Sequence, residues 1–108
     1  MRPEPPAEFV RQLKSMLIGG CPPTAVLVGP WYDQEVEWWG IEAQVPGQGA
    51  RRIQISQPVI DDTTTDWERM LSGLTTIARE DFSDHRGCTI KVSRSIVDPN
   101  DFQFRRDR

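Results

Sequence analysis

The chain reads as an α+β fold in the order α-β-β-β-α-β, with a mostly antiparallel sheet of about four strands and two helices packed on one face. Two stretches place apolar residues at helical spacing, and the extended runs between and after them alternate with period two. With 108 residues the chain is long enough for one domain, 1–108, and too short for two ordinary ones. Residues 1–6 (rich in proline) and 105–108 are expected to be loosely ordered.

The first helix is expected over Ala7 to Ile18, where Phe9, Val10, Leu13, Met16 and Leu17 share one face. Gly19-Gly20 ends it and Pro22-Pro23 prevents a restart. Thr24 to Gly29 has the length and apolarity of a strand, closed by Pro30, and Trp31 to Gln34 reads as a turn. A second strand is expected from Glu35 to Val45. Its two halves alternate out of phase, Val36 and Trp38 against Ile41, Ala43 and Val45. A β-bulge near Gly40 would reconcile them, turning Trp38 inward and Trp39 outward beside Glu35, Glu37 and Glu42. A three-residue loop, Gly47 to Gly49, would pair Ala43 with Ile53 and Ile41 with Ile55, keeping apolar residues on one face.

Residues 57–64 form a polar connection. Thr65 and Glu68 fit a capping box ahead of a helix over Asp66 to Glu80, where Trp67, Met70, Leu71, Leu74, Ile77 and Ala78 keep helical spacing. From Cys88 onward, Cys88, Ile90 and Val92 alternate with polar residues, and Arg94 marks the departure from the core. Phe102 and Phe104 suggest a short final strand.

Charge is distributed unevenly. The net charge is −3, but Trp31 to Glu68 holds eight acids against Arg51 and Arg52, a net of −6. Such a balance argues against a general nucleic-acid binder, although Arg86, Lys91, Arg94 and Arg105–Arg108 supply cations at the other end of the chain. No run resembles a signal peptide or a membrane span, so a cytoplasmic location with reduced Cys21 and Cys88 is expected.

The residues offer little chemistry. His85 is the chain's one histidine, and with Asp81 and Asp84 beside it in a loop it lacks a converging third ligand. A Cys88–His85 dyad would have no orienting group. Asp61, Asp62 and Asp66 lack the glycine and closing glutamate of a calcium loop. The glycine pairs precede no helix and so make no phosphate loop. No catalytic residue, metal site or cofactor is expected. The expected function is a non-enzymatic protein-binding module that presents Glu35, Glu37, Trp39 and Glu42 to a basic protein partner. A small acidic module of this sort suits an inhibitor of a nucleic-acid-processing enzyme, on the analogy of immunity proteins or phage accessory proteins. A homodimer, or a small-ligand binder, is the alternative.

Overall fold

The computed structural model describes residues 4–19, 21–82, 87–95, 97–98 and 100–107. Helix α1 spans Ala7–Ile18, followed by strands β1 (Val26–Asp33), β2 (Trp38–Val45) and β3 (Gly49–Ser56). A short helix α2 (Gln57–Asp61) precedes α3 (Trp67–Asp81), and β4 (Cys88–Arg94) and β5 (Phe102–Asp107) complete one sheet ordered β1-β2-β3-β4-β5. The sheet thus has five strands rather than about four, because the two phenylalanines near the C-terminus continue into a full edge strand. Residues 105–107 belong to that strand, and Pro5 is buried just ahead of α1.

All neighbouring strands are antiparallel except β3 and β4, which are parallel. A strand–helix–strand connection within one sheet runs this way, and α3 is the crossover. Both long helices lie on one face. They run in the same direction: Phe9 of α1 meets Trp67 of α3 with ring centroids 4.8 Å apart at their starts. At their ends a single side chain, Arg51, donates to Leu17 O (3.3 Å), Gly19 O (3.1 Å) and Phe82 O (2.8 Å). The last carbonyls of a helix have no partner within it, so one buried guanidinium satisfies two helix ends at once.

Beneath the helices the core alternates along each strand: Trp39, Ile41, Ala43 and Val45 on β2, Ile53 and Ile55 on β3, and Cys88, Ile90 and Val92 on β4 are all buried. Leu13, Leu17, Met70, Leu74 and Ala78 cover them from the helices. The α3–β5 contact is close because Gly73 has no side chain, and a Cβ there would lie 2.7 Å from Phe104 Cζ.

Three local expectations are corrected. The capping residue of α3 is Asp66, whose carboxylate accepts from Arg69 N–H (3.1 Å). Thr65 instead donates its hydroxyl to Val59 O (2.6 Å), tying α2 to α3. The β2–β3 loop is three residues long but begins one residue earlier. Gln48 N–H returns to Val45 O (2.9 Å), with Gly47 at φ 78°, as a Pro-Gly turn of type II requires. The ladder therefore shifts by two residues, pairing Ile41 with Ile53 and Glu42 with Arg52. Faces are unchanged by an even shift, and Arg51, which shares the face of Ile53 and Ile55, lies on the core side under the helix ends.

Candidate functional site

The helices cover one face of the sheet, and the other carries no helix among the described residues. Following the pairing across the strands gives the rows of this second face. One row runs Asp33, Trp38, Ser56, Ser93, Gln103. The next runs Trp31, Gly40, Gln54, Lys91, Arg105, and a third runs Val28, Glu42, Arg52, Thr89, Asp107. The face is polar on β3 to β5 and aromatic on β1 and β2.

The expected orientation of the tryptophans is reversed. Trp39 is 4% exposed and packs in the core, while Trp38 lies half-buried on the helix-free face. The physical reason is where the strand begins. Glu37 adopts a left-handed backbone (φ 56°), so the alternation of residues 35–37 belongs to a turn and not to β2. From Trp38 onward the strand alternates regularly and needs no bulge at Gly40. The irregularity sits in the neighbouring strand between Val28 and Trp31, at Gly29 (φ 103°) and the cis Gly29–Pro30 bond, and β1 continues through it to Asp33. Gly40 serves a different purpose. The indole of Trp31 lies across it, and a Cβ there would sit 2.7 Å from Trp31 Cζ2.

Trp31 is the centre of a small cluster. The guanidinium of Arg52 stands 5.9 Å from its ring centroid and bonds the Glu42 carboxylate at 3.2 Å. Glu42 is only 8% exposed and is occupied by this pair. Glu35 and Glu37, by contrast, are exposed on the 34–37 turn, and neither forms an ion pair among the described residues. Of the four residues expected to act together, the fold leaves Glu35 and Glu37 on the surface beside Trp38, pairs Glu42 within the face and buries Trp39. Trp31, Trp38 and Arg52 are not among those four. The signal for Trp31 was present in its proximity to an edge strand, but a proline two residues after Val28 read as a stop.

The fold also concentrates acid at one end. The strands β1, β3 and β4 finish at the same end of the sheet, so three connections meet there. Gln57 N–H bonds Glu37 O (3.0 Å), and Asn100 joins the third connection to the second by accepting from Asp66 N–H (2.9 Å). The first connection carries Glu35 and Glu37, the second Asp61, Asp62 and Asp66, and the third Asp98 and Asp101. Asp62 is the member held by a cation: Arg94 pairs with it. The hydroxyl and N–H of Thr64, and then Arg94, hold its carboxyl below the ordinary value of 3.8. These acids do not gather as ligands, and no group of three or more metal-binding side chains forms among the described residues.

Both sheet edges are guarded. Pro30 interrupts the hydrogen-bonding edge of β1, and β5 ends in exposed Arg105, Arg106 and Asp107, which discourage strand addition. Hollows on the surface are open and shallow. Two of them measure about 470 Å³ each, one between α1 and Pro30 and one over the β2–β3 hairpin. Cys21 and Cys88 are not joined in a disulfide, and Cys88 is buried against the Asp81 carboxylate (3.7 Å). His85 and Arg86 lie outside the described residues. No described helix is long and apolar enough to cross a membrane. Comparison with family models, with curated proteins and with solved structures finds no match.

Proposed function

We propose that this chain is a non-enzymatic protein-binding module that meets a basic protein partner with the β1–β2 half of its helix-free face. The observation that carries this reading is the pair of half-buried indoles, Trp31 and Trp38, on an uncovered sheet face, with Glu35 and Glu37 exposed at its rim. Aromatic anchors bordered by polar groups are the usual composition of a protein contact, and exposed carboxylates steer a basic partner towards it. Inhibition or sequestration of a nucleic-acid-processing enzyme is a role this surface suits, by analogy of size and charge.

A second copy of the chain fits this face less well. A two-fold axis along the strands sets the two acidic ends side by side. An axis across the strands at the level of Trp31 places Lys91 and Arg105 opposite themselves. Nucleic acid is disfavoured on the same ground, since Lys91 and Arg105 already share Asp107 and Arg52 is held by Glu42.

Capture from native lysate tests the reading. Tagged chain is expected to retain a specific protein that a Trp38→Ala/Glu35→Arg/Glu37→Arg variant releases. Equal retention by a variant that folds normally would overturn the assignment of the surface.

A further inference from the structure

The helix-free face contains one complete arrangement of tryptophan, arginine and carboxylate, and beside it an arrangement with two of those three parts. In the complete one, Arg52 stands by the Trp31 ring at 5.9 Å while bonding Glu42 at 3.2 Å. A guanidinium suits this position because it stacks on an indole through its plane while its edge bonds an anion. One row along, Trp38 is half-buried between Asp33 and Ser56, with Glu35 and Glu37 on the adjoining turn. Asp33 is fixed there because its carboxylate accepts from Glu35 N–H (3.0 Å), which shapes the turn. No lysine or arginine among the described residues forms an ion pair with Asp33, Glu35 or Glu37. Arg94, the residue that follows Ser93 of this row on β4, is engaged by Asp62.

Resting on the binding-module reading above, we infer that a protein partner supplies the third part: an arginine from a basic segment, its guanidinium against Trp38 and its charge met by Glu35 and Glu37. Charge complementarity continues past the first contact. Residues flanking that arginine would run towards the acidic end of the sheet, where Asp61 and Asp101 are also exposed. The partner segment is therefore expected to be rich in arginine and not merely positive. A lysine ammonium matches the charge but lacks the planar fork, and its hydration shell resists stacking.

The test uses the whole chain with two labelled probes, nona-arginine and nona-lysine, followed by fluorescence anisotropy. Nona-arginine is expected to bind about fivefold tighter, the scale of a partly desolvated cation–π contact. Trp38→Ala should abolish that preference while leaving charge-driven binding of both probes. Glu35→Gln/Glu37→Gln should weaken nona-arginine by about tenfold, as loss of two charge-assisted contacts implies. Neutralising two acids elsewhere, Glu8→Gln/Glu80→Gln, should change it by less than about twofold. Equal affinity for the two probes, or equal loss from the two pairs of substitutions, overturns the inference. If that happens while a lysate protein is still released by the Trp38 variant, the binding module stands and only its arginine chemistry is wrong.

Discussion

Arg51 supports a quantitative prediction, because its partners are backbone carbonyls that no substitution can remove. Arg51 is 4% exposed, and its guanidinium lies 5.4 Å from the Phe82 ring centroid and donates to three carbonyls at the ends of α1 and α3. Replacement of both members of a buried polar pair by apolar groups is often harmless. Here Arg51→Met keeps most of the aliphatic volume but removes the guanidinium donor from Leu17 O, Gly19 O and Phe82 O, leaving Leu17 O with only the Cys21 thiol at 3.5 Å. Each hydrogen bond from a charged donor is worth about 1.5–3 kcal/mol. The site opens into a cleft of about 250 Å³ lined by Met16 and Arg79, so water can replace part of the loss. The net cost then falls below the low end of that sum, to about 3–4 kcal/mol, a large fraction of the stability of a domain this size. Urea unfolding followed by circular dichroism should show a midpoint lower by about 2 M. Arg51→Lys should recover less than half, because one ammonium cannot span both helix ends. A loss under about 1 kcal/mol for Arg51→Met, or full recovery by lysine, would refute the claim that this residue joins the helices.

Three further predictions concern the sheet and its acidic end. Trp39→Ala should cost about 3–5 kcal/mol as a buried aromatic, and Trp38→Ala less than about 1.5 kcal/mol; the reverse order in denaturant titrations would put the wrong indole in the core. Gly40→Ala should dislodge Trp31, changing its fluorescence and weakening its contact with Arg52, whereas Trp31→Ala/Gly40→Ala should tolerate the new methyl with little added loss. The Asp62 carboxyl is lowered on folding, so its contribution to stability is complete above its unfolded value near 3.8 and is lost as pH falls through the lower folded value. The stability gap between the wild-type chain and Asp62→Asn should therefore be constant above about pH 5 and close below pH 3.8, and a gap that persisted at pH 2 would show that the ionised carboxylate is not its source.

The two long helices were legible because each has a long apolar stripe, whereas the five-residue α2 lies where the sequence reads as a polar connection. Phe9, Leu13 and Leu17 are the buried residues of α1, and Met70, Leu74 and Ala78 are buried along α3. The strand β4 was legible for the same reason, with Cys88, Ile90 and Val92 buried in alternation. The site was less so. Trp38 and Trp39 are adjacent, so their facing depends on where β2 begins, and one left-handed residue, Glu37, decides that. Apolar pattern alone favoured a bulge at Gly40 because it could not see that Val36 stays outside the strand. The register of β2 on β3 kept its faces but missed by two, since either register aligns isoleucines and only the Pro46-Gly47 turn and the Glu42–Arg52 pair distinguish them. Arg51 was invisible in its role because its partners lie 31 to 34 residues away. The convergence of acids at one sheet end depends on topology: Asp98 and Asp101 fall outside the acidic stretch in the sequence and join it through the parallel β3–β4 crossover.

The most direct measurement of the central claim, that the Trp38 corner of the helix-free face is the binding surface, follows the four indole N–H signals of the chain by NMR as nona-arginine is added. The account predicts that Trp38 shifts most, with Trp31 following, while Trp39 and Trp67 on the helical side stay in place. Shifts centred on Trp67, or spread evenly over all four, would contradict it.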